Sequence, residues 1–175
     1  LNSNGSGLAT VEYKPSATIK ILEDFESTGL NLEPSGLSDT VILKTNAPGE
    51  VYQPNIAGEE QDYSGKMVVG PLNIGEVATI SEYDLPKFGA NVILEIHYKT
   101  NINFTVGLYV DLPSQVIQTP VVTVYPTTEW KKMYINLVTE VSAYPNASSF
   151  KIFVGAINPY SEERTVFIDN MKLIY

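Results

Sequence analysis

The chain of 175 residues contains no cysteine, one histidine and one tryptophan. Without cysteine there are no disulfides, no thiolate metal sites and no thiol nucleophile, so a packed core must supply the stability. With His97 as the only imidazole, a two-histidine metal site is excluded. Basic residues are scarce, 11 Lys plus Arg against 20 Asp plus Glu for a net charge of −9, which argues against a nucleic-acid partner. No apolar run approaches the ~20 residues that span a bilayer as a helix. There is no G-x-S-x-G elbow, no internal repeat and no linker dividing two domains. A hydrophobic fraction of 43% with 18% charged residues does not describe a disordered chain. The length suits one domain.

What is present has the period of two. Val92, Leu94, Ile96 and Tyr98 share one face, and Ile93, Glu95, His97 and Lys99 the other. After Thr100-Asn-Ile-Asn103 the alternation resumes with Phe104, Val106, Leu108 and Val110 opposite Thr105, Gly107 and Tyr109. Two such runs joined by a short Asn-rich turn predict a β-hairpin with its first set of residues buried. Further strands are expected at about 17–25, 38–45, 66–72, 76–82, 119–125, 130–138, 149–157 and 164–175, with Pro and Gly between them. Only Leu137 to Ala143 could hold a helical turn. The fold class is all-β: an antiparallel sandwich or jelly roll over residues 17–175, led in by a tether over 1–16. That polar opening, Asn2 to Gly7, reads either as the tether left when a leader is removed or as an arbitrary start.

The two ends carry carboxylates within strand-like sequence: Glu23, Asp24 and Glu26 near the start, Asp169 beside Asn170 near the close. An unpaired charge out of water is very costly, so the terminal strands are expected to be neighbours and to share something, a cation being one option. The other is that Asp169 and Asn170 hydrogen-bond nearby backbone and form a bulge.

In order along the chain stand Glu23-Asp-Phe-Glu26, Tyr63-Ser-Gly-Lys66, the Leu94–Lys99 and Phe104–Leu108 pair, Thr128-Glu-Trp-Lys-Lys-Met-Tyr-Ile-Asn-Leu137, Phe150-Lys-Ile-Phe-Val154 and Phe167-Ile-Asp-Asn170. This series resembles the galactose-binding-like jelly rolls that include many non-catalytic carbohydrate-binding modules. More narrowly, it is similar to sandwich domains of secreted lipoproteins from polysaccharide-degrading Gram-negative bacteria. The resemblance implies a glycan-binding module, extracellular and held at the membrane only through a lipid tether. It implies a structural Ca²⁺ with Glu26, Glu23 and Asp169 as ligands, and a packing role in the core for Trp130. The region 40–60 does not match the pattern, and its loop from Gly49 to Gln61 is the longest expected.

The polar face of the expected hairpin, Glu95, His97, Lys99, Thr105 and Tyr109, is the candidate ligand-binding surface for an oligo- or polysaccharide. Alternate residues project at ~7 Å spacing, Tyr109 could stack on a sugar ring, and the polar groups could bond its hydroxyls. Tyr134, Asn136, Lys151 and Phe153 have the parity to extend it, and Gly107 would leave a shallow place beside Tyr109. The competing reading is a solvated sheet surface with cross-strand charge pairs. Tyr52, Tyr125, Tyr144 and Tyr160 are secondary candidates in loops. A glycosidase needs two carboxylates ~5–10 Å apart, and Glu95, the one carboxylate within an expected strand interior, has no evident partner. A structural or protein-interaction domain is the alternative to glycan binding, with catalysis a distant third.

Overall fold

The structure, a computed structural model, describes residues 17–35, 40–54 and 61–175. The expected tether over 1–16 lies outside the described residues, as does 55–60 of the long loop. Two antiparallel sheets face each other across one core. The strands are β1 (Ile19–Glu23), β2 (Leu32–Pro34), β3 (Val41–Thr45), β4 (Ser64–Val69), β5 (Ile74–Thr79), β6 (Ile93–Thr100), β7 (Phe104–Leu112), β8 (Gln115–Val124), β9 (Thr127–Asn136), β10 (Ser149–Ile157) and β11 (Arg164–Ile174). One helical turn, α1 (Val138–Ala143), stands where the sequence allowed one.

The six-stranded sheet runs β3-β4-β11-β6-β9, and the five-stranded sheet β2-β5-β10-β7-β8. β11 is flanked by β6 on one side; on the other, β4 pairs with its first half and β1 with its second. The terminal strands are therefore neighbours, Ile19 opposite Ile174. Val92, Leu94, Ile96, Phe104, Val106 and Leu108 are all buried, as the alternation requires. Pro34 and Pro120 both sit on edge strands of the five-stranded sheet, where a missing N–H costs no central ladder bond.

The hairpin is corrected. β6 and β7 are consecutive but lie in opposite sheets: β6 pairs with β11 and β9, β7 with β10 and β8. The connection is not built like an Asn-Gly hairpin turn, because its middle residue is apolar. Ile102 is buried in the core, its N–H donating to Thr100 Oγ1 (3.1 Å) and its carbonyl accepting from the same hydroxyl (2.7 Å). Asn101 ties the corner to β11 through Thr165, whose N–H donates to Asn101 Oδ1 at 2.8 Å. Pulling Ile102 inward carries the chain across the sandwich instead of folding it back.

The bulge is present. The pairing of β11 with β6 shifts between Asp169 and Lys172, and Asn170 adopts φ +46°. Opposite it, Phe25 at φ +62° lays its buried ring against Gly65, where an added Cβ would stand 2.2 Å from Phe25 Cζ.

Candidate functional site

Splitting β6 from β7 divides the expected ligand surface. Glu95, His97 and Lys99 face outward on the six-stranded sheet, while Thr105 and Tyr109 face outward on the five-stranded one. The parity assignments hold within each sheet: Tyr134 and Asn136 join the first group, Lys151 and Phe153 the second. The five residues do not form one surface.

On the five-stranded sheet, outward positions come from every strand: Glu33 on β2, Glu76 on β5, Lys151 and Phe153 on β10, Thr105 and Tyr109 on β7, Gln118 on β8. Glu76 organises them. Its carboxylate accepts hydrogen bonds from the Tyr109 hydroxyl, from Ser35 Oγ and, at 2.6 Å, from Gln118 Nε2. Burial, then the bond to Glu76, pushes the Tyr109 phenol above its ordinary pKa. Charge-assisted bonds of this kind hold the ring in one orientation.

The shallow place expected at Gly107 is occupied. A Cβ there would stand 2.4 Å from both Phe153 Cε1 and the Thr119 carbonyl, so glycine lets the Phe153 ring lie down on the sheet beside Tyr109, centroids 5.3 Å apart. Two cavities flank this pair. One, of about 540 Å³, is lined by Glu33, Glu82, Tyr109, Asp111, Val116 and Lys151 among others. The second, of about 480 Å³, is lined by Glu76, Thr105, Gln118, Pro120, Phe153 and Ile157 among others. Both volumes suit small-molecule ligands, and the mixture of apolar floor and convergent polar groups is what such sites use. Glu76, Gln118 and Ser35 were not singled out in the sequence. The parity of Ile74, Glu76 and Ala78 was available, but nothing local says which strands bring Tyr109 and Gln118 to Glu76.

On the six-stranded sheet the loop 46–54 crosses the outer face. Glu50 pairs with Lys66 at 2.7 Å, Lys99 Nζ donates to the Gly49 carbonyl at 2.9 Å, and the Tyr52 ring covers His97 with centroids 4.1 Å apart. His97 is consequently only 4% exposed, and neither ring nitrogen has a hydrogen-bond partner among the described residues. Burial, reinforced by the positive charge of Lys132, lowers its pKa to about 4. Glu95 is buried between Lys132 (3.1 Å) and Lys172 (3.6 Å); burial pushes its carboxyl up, but the bond from Lys132 and the two positive charges bring it below the ordinary value. This is the cross-strand charge pairing that competed with a binding role for Glu95.

Trp130 is not in the core. It faces outward on β9 between Tyr52 (5.6 Å) and Phe167 (6.4 Å), because it shares the parity of Lys132 and Tyr134. Of the loop tyrosines, Tyr144 packs against the core, whereas Tyr125 and Tyr160 are exposed.

The expected cation ligands are only partly gathered. Glu23 is committed to the turn after β1, its two oxygens accepting from the N–H groups of Phe25 and Asn31. Glu26 Oε1 accepts from Asp62 and Tyr63 N–H groups, both at 3.1 Å, at the lead-in to β4. Asp169 is fully buried and accepts from Ser64 Oγ (2.6 Å) and Asn170 N–H (2.7 Å). The Gln61 amide nitrogen, in the orientation its neighbours require, sits 2.8 Å from Asp169 Oδ2. Burial, with the negative charges of Glu26 and Asp24 nearby, raises the Asp169 pKa to about 7 against the bonds from Ser64 and Asn170. Among the described residues no three His, Asp or Glu side chains form a cluster that could hold a metal.

No family model and no curated protein matches the chain. Solved structures do. A family 11 carbohydrate-binding module of the cellulosomal cellulase Lic26A-Cel5E of Clostridium thermocellum superposes with a TM-score of 0.60 at 14% identity, over 91% of this chain and 95% of that one. A family 11 module from Clostridium thermocellum, in complex with a β-1,3-1,4-mixed-linked tetrasaccharide, gives 0.59 at 12% identity, over 89% and 94%. A family 29 module variant complexed with mannohexaose gives 0.54 at 12% identity, over 91% and 93%. The chain has the jelly-roll sandwich of the carbohydrate-binding-module type. At these identities the likeness concerns the fold.

Proposed function

We propose that the protein is a non-catalytic glycan-binding module, exported and displayed at a cell surface, that holds an oligo- or polysaccharide along the outer face of the five-stranded sheet. The observation that carries this reading is an outward tyrosine clamped by Glu76 between two cavities on one face. Tyr109 offers a rigid ring edge and face, while Lys151, Gln118, Glu82 and Asp111 offer hydrogen-bonding groups for hydroxyls on either side. Thr105 contributes at the second cavity. The modules that share the fold supply support by analogy only.

The test is calorimetric titration of wild type, Tyr109→Ala and Glu76→Gln with neutral plant and host polysaccharides, with reducing ends monitored throughout. Binding is expected to be weak to moderate, because an open groove must offset the ordering of its ligand. Tyr109→Ala should remove most of it, and no reducing ends should appear. A wild type that binds none of these glycans overturns the proposal.

A structural Ca²⁺ belongs to the same reading in reduced form, through Glu26 and Asp169 without Glu23. Its support is limited to the charge of Glu26 and Asp24 felt at the buried Asp169 carboxyl, since these side chains are not gathered into a metal-holding cluster among the described residues. A second reading, a protein-interaction domain, is favoured by the exposed Ile19, Ile21, Val41 and Leu43 on the outer face of the six-stranded sheet.

A further inference from the structure

The two outer faces differ in charge. On the five-stranded sheet Glu33, Glu76, Glu82 and Asp111 stand, among the described residues, against Lys151 alone. On the six-stranded sheet Lys66, Lys99, Lys132 and Lys172 stand against Glu95, the buried Asp169 and, from the crossing loop, Glu50. In a chain of net charge −9 this concentration of lysine is local, and it makes one face attractive to anions that the other repels.

The largest of the described cavities opens on that basic face. It has a volume of about 860 Å³ and lies where the end of β6 meets the β8–β9 connection. Phe167 is half-buried in its wall, braced by Trp130 at 6.4 Å, with the ammonium groups of Lys66 and Lys99 5.6 and 5.9 Å from its ring centroid. Lys99 and Lys131 both line the cavity, together with Asn101, Thr128 and the exposed carboxylate of Glu129. Lys66, Lys132 and Lys172 each have a carboxylate within 4 Å, and Lys131 lies 3.4 Å from the exposed Glu129. Lys99 has none among the described residues; its one hydrogen bond goes to the Gly49 carbonyl, which leaves two ammonium protons for a ligand.

We propose that this cavity is a second saccharide site, separate from the Tyr109 groove, that takes a sugar ring bearing a carboxylate or sulfate. The ring's apolar face would rest on Phe167, its anionic group would meet Lys99 and Lys131, and Asn101 and Thr128 would bond its hydroxyls. An anion entering here meets a cation that has no carboxylate within 4 Å among the described residues and is shared only at longer range with Glu50, whereas a neutral sugar gains only the ring contact. The module would then hold acidic and neutral glycan segments on opposite faces, which adds avidity wherever one polymer presents both.

The experiment titrates galacturonate and sulfated galactan trisaccharides into wild type, the double variant Lys99→Gln/Lys131→Gln and Tyr109→Ala, at low and high salt. Thermal melts confirm folding, and both lysines are partly or fully exposed, so folding should survive. The two trisaccharides distinguish carboxylate from sulfate. Wild type should bind at least one of them, more weakly at high salt. The double variant should weaken that binding by roughly tenfold or more, with Tyr109→Ala nearly unchanged. The inference is overturned if wild type binds neither anion, or if the double variant binds as wild type does. It is also overturned if Tyr109→Ala abolishes anion binding, because a single site would then serve both ligands. Loss of neutral-glycan binding alone bears on the groove and leaves this site standing.

Discussion

Asp169 and His97 face each other across β11 and β6, and each is held away from its ordinary ionisation in the opposite sense. The buried Asp169 carboxyl is raised from 3.8 to about 7, with Glu26 and Asp24 adding their repulsion to the effect of burial. Between those pH values the folded protein binds the proton that the unfolded chain has lost, so this residue lowers stability as pH rises through the window. The buried His97 imidazole is lowered from 6.5 to about 4 by burial and by Lys132 and Lys172, with Glu95 opposing. There the unfolded chain binds the extra proton, so His97 raises stability with pH over nearly the same window. At about 1.4 kcal/mol per pH decade, the two contributions are about 4 and 3 kcal/mol and nearly cancel.

Wild type, freed of metal with a chelator, should therefore show a shallow stability profile between about pH 4 and 7. Asp169→Asn keeps the size and an acceptor for the Asn170 N–H, and the Ser64 hydroxyl can turn to accept from the new amide. Its urea midpoint should climb with pH, and by neutrality the variant should be more stable than wild type by up to about 4 kcal/mol. His97→Phe should show the reverse, a midpoint that falls as pH rises. An Asp169→Asn profile parallel to wild type across the window would refute the reasoning. Returning Ca²⁺ to the same samples then reads the proposed cation: wild type should gain melting temperature and Asp169→Asn should not, because only a folded-state ligand stabilises by mass action.

Leu94→Ala removes a fully buried side chain and should cost about 2–5 kcal/mol in chemical denaturation. Gly65→Ala drives a methyl into the Phe25 ring, itself fixed by a left-handed backbone, and should lose about 1–3 kcal/mol by the same measurement. Glu76→Gln keeps the shape of the groove but loses the charge that holds Tyr109, Ser35 and Gln118; it should weaken neutral-glycan binding less than Tyr109→Ala does, with titration calorimetry as the check.

The alternation over 92–99 and 104–110 determined which side chains enter the core, because a strand's two faces are set by its own backbone pleat. Strand content, the single helical turn and the pairing of first and last strands followed from the same local signals and from the cost of burying Asp169. Which sheet each strand joins did not, because that is decided by partners far away in sequence. Ile102 takes β7 to the opposite sheet, and with it Tyr109 leaves Glu95, His97 and Lys99 for Glu76 and Gln118. The accessibility of His97 and Trp130 depends likewise on Tyr52, which arrives from a loop 45 residues upstream of His97. Period and propensity fix the face on which a side chain stands, while only long-range packing fixes what stands beside it.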